Sequence, residues 1–272
     1  MKKTVRSFGE AKLSGAKLAV LTAYDYSVAR LADASGVDAI LVGDSLANVV
    51  MGMPDTLSVT MDMMIHHTRA VSAGVENALL VGDMPFMSYQ ATVSGAVENA
   101  GRFLKEGRAQ AVKLEGGEAV APQIRAIVEA GIPVMGHVGL TPQSVNVLGG
   151  FKVQGKSGES KRKLAGDAKA VEEAGAFAVV VECVPDDLAA ELTGLLSVPT
   201  IGIGAGPACD GQVLVYHDLI GLFPDYAPRF AKRYLNAGEL IGKAFSDFAR
   251  EVREGKFPGP EHSFHSPEKP KG

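Results

Sequence analysis

Eight short apolar runs recur along the chain, at residues 18–22, 38–42, 78–82, 110–114, 132–136, 177–181, 199–203 and 212–216. Each is about the length of a strand buried on both faces, which shows no alternation of polar and apolar positions. Several follow a small-residue step into glycine, at Ser35-Gly36, Ala130-Gly131 and Ala174-Gly175. Such a step suits a helix C-terminus that feeds the next strand. The stretches between carry helical spacing: Ala119, Ile124, Ile127 and Val128 share one face, and Leu164, Ala168, Val171 and Glu172 begin another. The interval between Ile203 and Gln212 lacks it.

Strands alternating with helices eight times over predict an α/β protein, a single-domain (β/α)8 TIM barrel with extra C-terminal helices. The 272 residues match the roughly 250 such a barrel needs. An open doubly wound sheet is the alternative, but the polar residues follow many different strands instead of clustering at one switch point. The barrel and its terminal helices are expected over residues 1–255, with two or three helices between about Ala227 and Arg253. A Pro/Gly-rich tail follows at 256–272, and from Ser266 onward its composition reads as disordered.

Composition narrows the function classes. A hydrophobic content of 46% supplies the core such a barrel buries. The net charge of −4, with signs interspersed, gives no basic footprint for nucleic acid or an anionic membrane. No stretch approaches the roughly 20 apolar residues of a membrane span, and no apolar segment follows Met1-Lys2-Lys3 as in a secretory leader. Two cysteines make no disulfide framework, and Cys183, inside an apolar run, reads as a small buried hydrophobe. The expectation is a cytoplasmic enzyme or binding protein.

Three consecutive strands deliver a carboxylate at the same place. Gly43-Asp44-Ser45, Gly82-Asp83-Met84 and Leu114-Glu115-Gly116 each stand at or just past a strand's C-terminal end, the face where barrel enzymes carry their chemistry. One such acid alone would read as a helix cap. Three aligned acids repel unless a cation neutralises them, and oxygen donors without nearby Cys or His favour Mg²⁺, with Mn²⁺ or Co²⁺ as alternatives, over Zn²⁺. Lys113, two residues before Glu115, points the same way. It serves either a salt bridge with one of the acids or an anionic substrate at the metal.

Glu182 ends strand six at the same rim, where apolar neighbours raise a carboxyl's pKa toward that of a useful base. Pairing with His137 or Lys113 is its structural alternative. His137, at the end of strand five, is equally readable as a catalyst or as a hydrogen-bonded structural residue. The glycines of Gly202-Ile203-Gly204-Ala205-Gly206 lack dinucleotide-binding spacing and shape the barrel mouth instead. His66-His67 has no ligand spacing, and His262 and His265 lie in the tail.

These segments closely resemble the ketopantoate hydroxymethyltransferase family. The resemblance is carried by Gly43-Asp44-Ser45-Leu46, by Gly82-Asp83-Met84-Pro85-Phe86-Met87 and by Val112-Lys113-Leu114-Glu115-Gly116-Gly117. It continues through Gly136-His137-Val138-Gly139-Leu140-Thr141-Pro142-Gln143-Ser144, Gly149-Gly150-Phe151-Lys152-Val153-Gln154-Gly155 and Glu182-Cys183-Val184-Pro185, and it runs from about Thr22 to His265. It implies a (β/α)8 barrel that moves a one-carbon unit from 5,10-methylenetetrahydrofolate to 3-methyl-2-oxobutanoate on the way to pantothenate and coenzyme A. The family's metal ligands fall on Asp44, Asp83 and Glu115, its oxo-acid contacts on Asp44, Ser45, Asp83 and Lys113, and its proton acceptor on Glu182. A homo-oligomer, a decamer by resemblance, is implied as well.

One departure stands at Ala47-Asn48, where many members have Gly-Met. Alanine resists a positive φ there, whereas asparagine tolerates one. Carbon–carbon lyases and phosphoenolpyruvate mutases on related barrels look to a cysteine after strand four, and residues 116–120 contain none. A non-catalytic oxo-acid binder would need the acid cluster but not Glu182.

Overall fold

The structure of the chain, a computed structural model, describes residues 2–223 and 228–266. The strands are β1 (Leu18–Thr22), β2 (Ala39–Val42), β3 (Leu79–Asp83), β4 (Ala111–Glu115), β5 (Val134–Gly139), β6 (Ala178–Glu182), β7 (Thr200–Ile203) and β8 (Gly211–Leu214). Each pairs in parallel with the next, and β8 pairs with β1 to close the barrel. The eight apolar runs therefore become eight strands, and the open-sheet alternative is excluded. Among the described residues the β7–β8 connection has no helix, as its lack of helical spacing predicts.

The helices follow the expected faces. Ile124 and Ile127 are buried on the helix Ala121–Glu129, and Leu164, Ala168 and Val171 on the helix Gly158–Glu173. Gly36, Gly131 and Gly175 all take a positive φ just after a helix. Alternate strand residues point inward and stack as one core: Leu18 and Val20, Ala39 and Leu41, Leu79 and Val81, Ala178 and Val180, with Ala111, Met135, Ile201 and Val213. The helix Val5–Ser14 adds Phe8 and Ala11 to this core, with Phe8 meeting Phe177 edge to face. The interior is thus filled beneath its upper rim, and any site must lie above that filling.

Strand ends differ from the expected ones by a residue or more. β3, β4 and β6 each reach one residue further, and β5 runs on to Gly139. Their terminal polar residues face partners on neighbouring strands, so the ladder continues through them. His137 accordingly lies within β5 instead of closing it.

The chain divides into two compact units, Met1–Tyr216 and His217–Gly272. In the second, the described residues carry one α-helix of any length, Ala237–Arg253, after the short helix Tyr216–Ile220 that straddles the division. Asp247 pairs with Lys243 and Arg250 along its polar face. Of the interval expected to hold two or three helices, Ala227 lies outside the described residues. So does 267–272 of the tail. No helix is long and apolar enough to cross a membrane among the described residues.

Candidate active site

The inward-facing rows of β3, β4, β5 and β6 turn from apolar to polar toward their C-terminal ends. Val81 is followed by Asp83, Ala111 by Lys113 and Glu115, Met135 by His137, and Val180 by Glu182. Register sets them side by side: Asp83 is opposite Lys113, Glu115 opposite His137, and Glu182 opposite Gly139. Asp44, just past β2, joins them by donating its backbone N–H to Asp83 Oδ2 at 3.2 Å. Asp83, Lys113, Glu115 and His137 are no more than 4% exposed, so bulk water does little to screen their charges.

Lys113 Nζ lies 2.7 and 2.8 Å from the two oxygens of Asp83 and 3.8 Å from Glu115 Oε1. The salt bridge read from the sequence is present. Burial disfavours the charge on Lys113, but Asp83, Glu115 and Asp44 outweigh it and hold the ammonium above its ordinary pKa. Burial pushes Asp83 up to about 7 against the pull of Lys113, with Asp44 adding to the rise. Glu115 is raised well above the carboxylate range by burial, again opposed by Lys113.

His137 stands between two acids, with Nδ1 3.6 Å from Glu115 Oε1 and Nε2 3.2 Å from Glu182 Oε2. Neither approach is aligned as a hydrogen bond, and among the described residues neither ring nitrogen has a well-formed one. Burial, followed by the charge of Lys113, pushes its pKa well below the usual histidine value, so the ring is neutral at pH 7. Burial raises Glu182 to about 7, with Lys113 in opposition. The backbone beneath Glu182 depends on glycine: Gly139 has φ +99°, and a Cβ there would lie 2.3 Å from the Glu182 carbonyl oxygen. That oxygen accepts the Leu140 N–H at 2.8 Å.

Two residues that strand position did not single out complete the network. Gln143, in the short 3₁₀ turn Pro142–Ser144 after β5, donates from Nε2 to Asp44 Oδ2 (2.9 Å) and from its backbone N–H to Glu115 Oε2 (3.0 Å). Tyr89 donates its hydroxyl hydrogen to Gln143 Oε1 at 2.7 Å, and its oxygen accepts the Glu115 N–H at 3.1 Å. Gln143 lay in plain view in the Thr141-Pro142-Gln143-Ser144 segment. Its partners come from the ends of three other strands, and no local spacing marks it.

Ser45 Oγ lies 2.8 Å from the Tyr24 hydroxyl. Ala47 and Asn48 sit in the short helix Leu46–Val49, and neither takes a positive φ, so the departure there costs no backbone strain. Cys183 corrects an expectation: it is only half-buried, and it leaves β6 with φ 48° in the left-handed region. The residue before it must hold the end of the strand while the chain turns away. Among the remaining histidines, His67 bonds the Tyr24 carbonyl oxygen at 2.7 Å, and His262 is exposed beside Glu261.

The acid cluster is chemically suited to a hard cation. Three carboxylates face one lysine, and burial, opposed by Lys113 and reinforced by the neighbouring acids, raises Asp83 and Glu115. Among the described residues no three acidic, histidine or cysteine side chains are grouped so as to hold a metal ion by themselves. A cation there would have to complete its coordination with water or substrate oxygens, as Mg²⁺ does.

A sequence profile described as ketopantoate hydroxymethyltransferase matches residues 2–260. The chain belongs to that family. A curated relative from Clostridium novyi (strain NT), a 3-methyl-2-oxobutanoate hydroxymethyltransferase, is 62% identical over 97% of this chain and 96% of its own. One of the same name from Enterococcus faecalis (strain ATCC 700802 / V583) is 60% identical with the same coverage. Membership makes the chain a hydroxymethyltransferase.

Solved structures extend the likeness of fold. Phosphonopyruvate hydrolase aligns with a TM-score of 0.65 at 16% identity, over 98% of this chain and 92% of that one. Its complex with oxalate and Mg²⁺ aligns at 0.64 and 18%, with the same coverage. 2,3-Dimethylmalate lyase, of the phosphoenolpyruvate mutase/isocitrate lyase superfamily, aligns at 0.60 and 18%, over 96% and 93%. These identities speak for the barrel, not for a shared reaction.

Proposed function

We propose that the chain transfers a hydroxymethyl group from 5,10-methylenetetrahydrofolate to 3-methyl-2-oxobutanoate, yielding 2-dehydropantoate and tetrahydrofolate in pantothenate and coenzyme A biosynthesis. The observation that carries the chemistry is the polar row above the core. A buried Lys113 among three acids stands on one side, and Glu182, with a pKa near 7, stands beyond His137 on the other. The names of the relatives support the acceptor.

In this reading Asp44, Ser45, Asp83 and Lys113 receive the oxo acid. A divalent cation, Mg²⁺ with Mn²⁺ or Co²⁺ as alternatives, would be held by Asp44, Asp83 and Glu115 and would supply Lewis-acid polarisation of the 2-oxo carbonyl. The neighbour crystallised with oxalate and Mg²⁺ supports the cation. Glu182 removes the proton from C3, and its pKa near 7 leaves much of it ionised at neutral pH. Neutral His137 adds no charge of its own to either acid beside it. Lys113 neutralises the charge that moves onto the substrate oxygen as C3 becomes nucleophilic. C3 then bonds the methylene carbon. Both carbon–nitrogen bonds that hold the methylene on folate break, each with its electron pair going to nitrogen. The bond to C3 takes the place of one and the bond to a water oxygen the place of the other, while the C3 proton and the water protons end on the two folate nitrogens and the product hydroxyl.

Incubation with both substrates and Mg²⁺, read by mass spectrometry, is expected to give 2-dehydropantoate in step with tetrahydrofolate. Failure to form it with Mg²⁺, Mn²⁺ and Co²⁺ alike would contradict the proposal. The same reading carries a cytoplasmic setting and a decameric homo-oligomer. Sedimentation of the protein as a monomer would oppose the latter.

A further inference from the structure

Gln143 is bonded at every polar position of its side chain. Its Nε2 hydrogens go to Asp44 Oδ2 at 2.9 Å and to the Met84 carbonyl at 3.0 Å. Its Oε1 accepts from Tyr89 Oη at 2.7 Å and Gln90 Nε2 at 3.2 Å. This exhausts an amide's two donors and two acceptor lone pairs. A flipped amide would set its oxygen against two acceptors and its NH₂ against the Gln90 NH₂, so the orientation is fixed. The residue is buried, and its backbone N–H takes Glu115 Oε2 as a further acceptor. From one turn after β5, Gln143 therefore holds groups from the ends of β2, β3 and β4. The opposite oxygens, Asp44 Oδ1 and Glu115 Oε1, accept no hydrogen bond among the described residues, although Glu115 Oε1 faces Lys113 and His137.

We propose that Gln143 is a positioning residue for the cation site: it pins one oxygen each of Asp44 and Glu115 so that the other oxygen of each is presented to the ion. This rests on the reading of Asp44, Asp83 and Glu115 as the ligands. Entropy and electrostatics act together here. Two carboxylates that must approach one ion repel each other and rotate freely unless something holds them, and a neutral donor holds them without adding charge. A glutamate at the same place could accept from Tyr89 but could not donate to Asp44, and it would add a fourth acid. Partners of this kind, outside the ligands themselves, tune metal affinity by about 10- to 100-fold.

The test is Mn²⁺ binding to the full chain, measured by calorimetry and by the loss of the free-ion paramagnetic resonance signal. Gln143→Met, Tyr89→Phe and their combination are compared with Asp83→Asn, with circular dichroism and a melting curve for each. Gln143→Met is expected to weaken Mn²⁺ binding about 10- to 100-fold in a folded protein. Tyr89→Phe should weaken it less, and the double variant no more than Gln143→Met alone. Unchanged affinity in folded Gln143→Met, with Asp83→Asn impaired, overturns the positioning role and leaves the ligand reading standing. Unchanged affinity in Asp83→Asn overturns the ligand reading itself. Should Gln143→Met not fold, Tyr89→Phe decides, since it removes one hydroxyl and keeps the ring: undiminished affinity there overturns the proposal.

Discussion

At the scale of single residues, the decisive assignment is Glu182. Its carboxyl, raised to about 7 by burial, must be ionised to accept a proton. The rate of C3 proton removal is therefore expected to rise with pH through about 7 and to fall below it as the acid protonates. A flat profile from pH 5.5 to 8.5 would contradict the base role. Lys113→Met removes the cation that opposes the rise of Asp83 and Glu115. It should lower kcat/KM by at least the 10²- to 10³-fold seen when one charge-stabilising donor is lost, as read by steady-state kinetics. The acids and Lys113 were legible in the sequence because strand ends converge in a barrel and alternate residues share a face. Gln143 and Tyr89 were not, because their roles come from partners tens of residues away. The half-exposed, left-handed Cys183 was also illegible, because an apolar run does not announce where its backbone turns.

At the scale of elements, the end of β6 depends on β5. With Gly139 at φ +99° and the Glu182 carbonyl 2.3 Å from where its Cβ would stand, Gly139→Ala is strained and obstructed at once. A cost of about 1–3 kcal/mol in stability is expected, visible in urea unfolding, together with reduced kcat because Glu182 is carried with its backbone. Full activity with an unchanged unfolding midpoint would contradict this coupling. The order and kind of the strands followed from apolar runs and the glycine steps between them. Their ends did not: Asp83, Glu115 and His137, each just past an apolar run, pair across the ladder here, Asp83 with Lys113 and Glu115 with His137.

At the scale of the whole molecule, the barrel separates stability from chemistry. Phe8 and the inward apolar residues fill the interior, and the polar row stands above them. Phe8→Ala is expected to cost about 3–5 kcal/mol in denaturant unfolding while leaving the Mn²⁺ affinity of the folded protein unaltered. A matching loss of affinity would show that filling and site are not independent. Closure itself could be anticipated from eight buried runs and a length near that of one barrel. The helices after β8 were less readable, since an amphipathic stretch fixes neither their number nor their ends.

The central claim is that this rim makes C3 of an oxo acid nucleophilic, with Glu182 as the base. It is tested most directly by incubating the protein with Mg²⁺ and 3-methyl-2-oxobutanoate in deuterium oxide and following the C3 proton by NMR. Exchange is expected in the unmodified protein, with or without folate, and should fall about 10²- to 10⁴-fold in Glu182→Gln. Undiminished exchange in that variant would remove Glu182 from the mechanism, and no exchange in the unmodified protein would contradict the account as a whole.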